Sequence, residues 1–351
     1  MNLEKAHNCM VRGLQEQIFT AAVLLVAHTR EVIFSRAYGT LGGRGTPQAE
    51  EKTLFDLASL TKILATTPAW MIMASQSPEI LDQPISKWFP SVPQDKRGIT
   101  PRHLLAHISG LPAWRPYYLF YKFTSAQNLA TDNILNEPLE YRTGEDSIYS
   151  DLGFILLSVI AEMQSSETLD AFCCERIYEP LGISQDLKFN PSNEQKRIAW
   201  TRPEEMPGLV NDLNARCLGG VAGHAGLFGT AEAVAVVAAE ISASLHKSTR
   251  LFDQKVTQTF CRKVDAIHGC SRALGFDTPS KEASSSGRFF SPLTIGHTGF
   301  TGTSLWIDMD RQLTVVLLTN RVFLGESDFR IKSFRPVVHD AVMEEIPKPV
   351  K

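Results

Sequence analysis

A serine and a lysine three residues apart, Ser59 and Lys62, stand where an apolar helix begins in the stretch Phe55-Asp56-Leu57-Ala58-Ser59-Leu60-Thr61-Lys62. On a helix that spacing puts both side chains on one face. A serine hydroxyl is a weak nucleophile until a neighbouring base takes its proton, and a lysine partly desolvated by Leu60, Ile63 and Leu64 has its pKa lowered towards that task. The pair is a candidate nucleophile and base; the competing reading makes Ser59 a helix cap. Two more polar groups occupy comparable places. Tyr149-Ser150-Asp151 opens the strongly apolar helix Leu152 to Met163, and His297-Thr298-Gly299 precedes a C-terminal strand.

The elements that must position these groups follow from the hydrophobic pattern. Leu3, Ala6, Met10, Leu14 and Ile18 recur at helical spacing and predict a helix from Leu3 to Phe19. The continuous apolar run Ala21 to His28 suits a buried strand, Thr29-Arg30 a tight turn, and Glu31 to Tyr38 an antiparallel return strand. After a loop from Gly39 to Pro47, the Ser59 helix is expected to reach about Ser75, with Pro68 forcing a kink or a local adjustment. From Leu81 to about Ser248 the pattern is one of helices joined by Pro- and Gly-containing loops. One starts at Thr100-Pro101, runs through His107 and stops at Ser109-Gly110-Leu111-Pro112; another, Ala231 to Leu245, follows the glycine-rich loop Gly219 to Gly226. Thr303 to Asp308 and Leu313 to Asn320 read as a hairpin, and Phe334 to Met343 as a closing helix. Strands at both ends with helices between predict an α/β (α+β) fold with an antiparallel sheet built from both chain termini and flanked by helices. The expected division is residues 1–80 plus 270–351 for the sheet-containing part and 81–269 for an inserted, mainly helical domain, with the site in the cleft between them.

In order and separation the three motifs resemble those of the serine β-lactamase and penicillin-binding-protein superfamily, in the branch of class C β-lactamases, DD-peptidases and their esterase relatives. Serine-x-x-lysine matches fully at Ser59 and Lys62. Tyrosine-x-asparagine keeps Tyr149 but ends in Asp151, and lysine-threonine-glycine reads His297-Thr298-Gly299. The runs Leu104 to Pro112, Gly219 to Phe228 and Gly296 to Trp306 extend a similarity that covers most of residues 15 to 345. The resemblance implies an acyl-enzyme on Ser59, with Tyr149 held near Lys62 as general base and acid, its phenol kept acidic by the ammonium. It further implies an oxyanion hole of the Ser59 and Phe300 backbone N–H groups, a glycine at 299 that lets backbone approach substrate, and no metal or cofactor.

The departures bear on substrate. An ionised Asp151 only accepts hydrogen bonds where asparagine would donate, so carbonyl-bearing penicillin side chains are held less well, and the carboxylate can also pair with Lys62. His297 replaces a permanent cation with a group titrating near about 6.5, so its grip on a substrate carboxylate is expected to strengthen as pH falls from about 8 to about 6. Both changes favour ester or small amide hydrolysis with weak β-lactamase activity. The alternatives are a D-alanyl peptide carboxypeptidase, a true class C β-lactamase, and a non-catalytic ligand-binding or self-assembling descendant of the fold.

Other candidates carry less. His103 and His107 are spaced like a metal pair but lack the glutamate of H-E-x-x-H, which favours helix packing. His224 is read as a cleft or a loop residue. The glycines at 219 to 226 fit no dinucleotide or P-loop pattern, and there is no G-x-S-x-G. Tyr117, Tyr118, Phe120 and Tyr121 form an aromatic cluster after Trp114, suited to core or cleft wall. The 351 residues are 43% hydrophobic and 21% charged, with formal net charge -3, a near-neutral balance that argues against nucleic acid as the main partner. The run Thr20 to Ala27 is too short to span a bilayer, and the polar start does not read as a signal peptide. Six cysteines without a C-x-x-C fit unpaired thiols, so the expectation is a cytoplasmic enzyme acting on a small ester, amide or β-lactam without a membrane partner.

Overall fold

The computed structural model describes residues 1–120, 126–191, 196–265, 267 and 270–346. In chain order, helix α1 (Glu4–Gln15) leads into strands β1 (Ala21–His28) and β2 (Glu31–Gly39), then the short β3 (Phe55–Asp56), the Ser59 turn and α2 (Thr67–Gln76). Next come α3 (Pro101–Leu105), α4 (Ala126–Asn136), α5 (Asp151–Ser165), α6 (Leu169–Cys173), α7 (Glu179–Leu181), β4 (Leu187–Phe189), α8 (Leu213–Cys217) and β5 (Leu227–Gly229). The chain closes with α9 (Ala231–His246), α10 (Gln254–Cys261), β6 (Thr294–Thr298), β7 (Ser304–Asp308), β8 (Leu313–Thr319) and α11 (Ile331–Glu345).

The main sheet runs β2-β1-β8-β7-β6, antiparallel throughout, so both ends of the chain build it as expected. The unbroken apolar run of β1 has a simple cause: both faces are covered. Val23, Leu25 and Ala27 join the large core that includes α2 and α9, while Ala22, Leu24 and Val26 pack with α1 and α11. Period-two alternation therefore sends every residue from Ala21 to Ala27 into one core or the other.

The expected mainly helical part, 81–269, also contains strands and a helix that covers the main sheet. Strands β4 and β5 lie inside it and form a second antiparallel sheet with β3, in the order β3-β5-β4. Helix α9 packs on β1, β7 and β8, so the chain has rejoined the sheet side well before residue 269. Its buried face is rich in alanine (Ala231, Ala235, Ala238 and Ala239), and such small residues let a helix lie close on a pleated surface. No helix among the described residues is long and apolar enough to cross a membrane.

Candidate active site

Ser59 sits on a strained turn. Ala58, just before it, has φ 47°, a left-handed conformation that costs an alanine about 1–2 kcal/mol. Asp56 holds the turn: Oδ1 accepts from the Ala58 N–H at 2.8 Å and Oδ2 from the Asn211 N–H at 2.7 Å. Burial pushes that carboxyl up to about 6 against the pull of the two donors. Such strain persists only where neighbours over-determine it, as Asp56 does here. The expected single α-helix is instead a 3₁₀ turn, Ala58–Leu60, then a π turn, Lys62–Thr66, before α2. Pro68 lacks the N–H that an α-helix would aim at the Leu64 carbonyl, and that carbonyl accepts from the Tyr178 hydroxyl at 3.1 Å.

Lys62 is fully buried and meets three oxygens: Asp151 Oδ1 at 2.7 Å, the His224 carbonyl at 3.0 Å and Ser59 Oγ at 3.2 Å. An ammonium donates to all three. A neutral amine donates to the carboxylate and the carbonyl, which only accept, and turns its lone pair to the one partner that has a proton to give, Ser59. Burial lowers the Lys62 pKa, as the apolar neighbours suggest, and Asp151 opposes the shift.

Tyr149 donates its hydroxyl proton to Ser59 Oγ at 2.8 Å. The expectation of an acidic phenol is overturned. Burial, then the Asp151 charge, raises its pKa well above the ordinary value, and the hydrogens of Lys62 go to other oxygens while Nζ lies 4.9 Å from the Tyr149 ring centroid. The run Leu104 to Pro112 holds this segment in place. His107 accepts the Ser150 N–H on Nδ1 at 3.0 Å and packs its ring 4.8 Å from that of Tyr149, and the Pro112 carbonyl accepts from Ser150 Oγ at 2.7 Å. Ser150 in turn caps α5.

The third motif departs from expectation at His297. His297 lines the cleft but is only 2% exposed; burial holds its pKa well below the ordinary value, and its Nδ1 bonds the Thr298 carbonyl at 2.7 Å. Nδ1–H donates to that carbonyl, and burial works against the cationic form expected to appear as pH falls from about 8 to about 6. Gly299 is required by the protein's own backbone: a Cβ there would meet Thr303 Oγ1 at 2.1 Å and the Leu57 carbonyl at 2.7 Å. That close approach brings the end of β6 against the Ser59 turn. Thr298 and Phe300 line the cleft beside it. Among the described residues, the backbone N–H groups of Ser59 and Phe300 have no protein acceptor.

His103 and His107 do not face one another as a pair: α3 ends at Leu105, His103 serves the Thr100 cap, and His107 has φ 57°. His224 pairs with Asp212, Nε2 to Oδ1 at 3.0 Å, while its carbonyl receives Lys62. Sequence reasoning left out Asp212 and Arg272, both on the cleft wall; Arg272 stacks on Tyr149 and pairs with Asp277, and no motif marks either. The cleft holds about 650 Å³. Trp114 and Tyr118 line it, their ring centroids 6.3 Å apart, and so do Phe300 and Phe329, which both stack on Arg321. Tyr117 is buried and Phe120 exposed, and Tyr121 lies outside the described residues.

The family model Beta-lactamase matches residues 7–335, and the chain belongs to that family. A candidate D-alanyl-D-alanine carboxypeptidase of Escherichia coli (strain K12) is 30% identical, over 91% of this chain and 83% of that protein. An N-acetylmuramyl-L-alanine amidase of Bacillus subtilis (strain 168) is 29% identical, over 86% and 77%. Among solved structures, EstCE1, a hydrolase with promiscuous acyltransferase activity, superposes with TM-score 0.75 at 21% identity, covering 97% of this chain and 98% of that one. A penicillin-binding protein homolog from Caulobacter crescentus does so with TM-score 0.75 at 17% identity, covering 97% of each. The two structural likenesses establish a shared fold.

Proposed function

We propose that this serine hydrolase cleaves neutral esters, and small amides more slowly, through an acyl-enzyme on Ser59. The observation that carries the reading is a single oxygen, Ser59 Oγ, between the Lys62 amine at 3.2 Å and the Tyr149 hydroxyl at 2.8 Å. Uncharged Lys62 takes the Ser59 proton as Oγ attacks the carbonyl. Tyr149, a protonated phenol, gives its own proton to the leaving oxygen and is reprotonated from Lys62, so one proton moves from nucleophile to leaving group. Water then cleaves the acyl-enzyme by the reverse path. The Ser59 and Phe300 N–H groups receive the developing oxyanion.

Ester preference rests on what the cleft lacks and what it offers. The third motif has a neutral His297 in place of a lysine, and Asp151 is engaged by Lys62. The cleft arginines are engaged too: Arg272 by Asp277, Arg202 by Glu326, and Arg321 by the carbonyls of Phe300, Glu326 and Asp328. Trp114, Tyr118, Phe300 and Phe329 offer apolar surface to an acyl group. A second reading, removal of a C-terminal D-alanine from a peptide, is favoured by the Escherichia coli relative, a candidate D-alanyl-D-alanine carboxypeptidase. One purified sample assayed on p-nitrophenyl butyrate, a chromogenic cephalosporin and a peptide ending in two D-alanines decides. The highest kcat/KM is expected on the ester; a higher value on the peptide would replace the first reading with the second.

Asp151 sets the pH at which the base becomes available. Its carboxylate, 2.7 Å from Lys62 Nζ, favours the ammonium and so opposes the lowering by burial. Removing that charge lowers the Lys62 pKa further, so the uncharged amine forms at lower pH. For Asp151→Asn, the rising limb of kcat/KM against pH on a neutral ester is therefore expected to move to lower pH. A limb that stays put or moves up would mean that Lys62 is not the group titrating there.

A further inference from the structure

Arg335 belongs to no motif and lies on the closing helix α11, yet its side chain reaches the wall of the cleft. It is 6% exposed. Its Nε donates to the Gly302 carbonyl at 3.2 Å, and a terminal nitrogen donates to the Gly299 carbonyl. Both acceptors lie on the turn from β6 to β7. Burying a guanidinium is costly: burial, then neighbouring Arg321, pushes its pKa down to about 9. Here the buried cation is directed at backbone carbonyls.

The Gly299 carbonyl is one end of the peptide unit whose other end is the Phe300 N–H. That unit is planar and trans, so the C=O and N–H bonds point in opposite directions and fixing the oxygen fixes the N–H. A cation at the oxygen also draws electron density through the amide and makes the N–H a stronger donor. The peptide that carries the Ser59 N–H is anchored in the same way, its Ala58 carbonyl accepting from Thr61 Oγ1 at 2.6 Å. Of the two anchors only Arg335 brings a charge.

We infer that Arg335 is a positioning residue of the oxyanion hole, its guanidinium fixing and polarising the Gly299–Phe300 peptide so that the Phe300 N–H meets the negative oxygen of the tetrahedral intermediate. The inference rests on the acyl-enzyme reading of Ser59. Loss of one direct oxyanion donor costs about 10²–10³-fold in kcat. Loss of a group acting through that donor costs less, on the order of 10–10²-fold on the same scale.

Arg335→Met keeps the length and apolar contact of the side chain and removes its donors; Arg335→Lys keeps the charge without the planar fork. With p-nitrophenyl butyrate, the Met variant is expected to lose kcat by that factor with KM nearly unchanged. A boronic acid that adds to Ser59 should bind more weakly by a similar factor. The decisive readout is the infrared band of the acyl-enzyme ester carbonyl, which weaker polarisation moves to higher wavenumber, with Arg335→Lys falling between wild type and Met. A merely structural arginine would lower the thermal midpoint and leave the band in place. An unmoved band in whichever variant folds overturns the inference, as does a rise in KM at constant kcat. Failure of the wild type to form any adduct on Ser59 would defeat the acyl-enzyme reading instead, so the two failures are distinguishable.

Discussion

Ser59→Ala is expected to abolish covalent labelling and hydrolysis together. Wild-type protein exposed to a fluorophosphonate or an activated ester should gain one adduct in intact-protein mass spectrometry, mapped by digestion to the peptide containing Ser59, and the alanine variant none. The rate loss on p-nitrophenyl butyrate should be on the order of 10⁴–10⁶-fold, the range for removing members of a nucleophile–base unit. The substitution should be benign to the fold. Lys62 keeps Asp151 and the His224 carbonyl as partners, the Ala58 turn keeps its Asp56 anchor, and only the Tyr149 hydroxyl loses an acceptor, at a wall that water can reach. An alanine variant that retains substantial activity would place the nucleophile elsewhere and remove the proton path proposed for Lys62 and Tyr149.

How far the site could be read from sequence follows from what kind of signal each part leaves. Ser59, Lys62 and Tyr149 carry chemistry in their side chains at motif spacing, and all three meet at one oxygen. The strands β1, β2, β7 and β8 were legible because apolar runs and turn residues are local signals. What stayed hidden is set by tertiary neighbours. The acidity of Tyr149 and the titration of His297 were read from residue type and an assumed neighbour, and burial reverses both expectations. Asp56, which belongs to no motif, works through two backbone N–H groups, one of them that of Asn211, 155 residues further along the chain. The π turn is another case: proline announces a missing donor, but nothing local names Tyr178, 114 residues on, as the group that takes up the Leu64 carbonyl. Helix α9 looked like a continuation of the helical region because apolar patterning does not reveal which layer a helix packs against.

Lys62 and Tyr149 are expected to behave as one unit in a double-mutant cycle. Both touch Ser59 Oγ and, in the proposed path, both belong to one relay, Lys62 taking the Ser59 proton and then reprotonating Tyr149 after the phenol has protonated the leaving group. Each single change, Lys62→Ala or Tyr149→Phe, should therefore lower kcat by about 10²–10⁴-fold, the usual worth of general acid–base help. The double variant should lose little more than the worse of the two, because a broken relay cannot be broken again. Stability has to be followed alongside. Lys62→Ala leaves the Asp151 carboxylate without its cation, and a partly buried charge that loses its partner weakens the fold. Tyr149→Phe removes only a hydroxyl and keeps the ring between His107, His297 and Arg272. Circular dichroism and the thermal midpoint of each variant separate a loss of fold from a loss of proton transfer. Losses that multiply in full, with all folds intact, would show that the two groups serve different steps. Tyr149 would then act on Ser59 alone as a hydrogen-bond donor, and the proton for the leaving group would have to come from Lys62 directly or from water in the cleft.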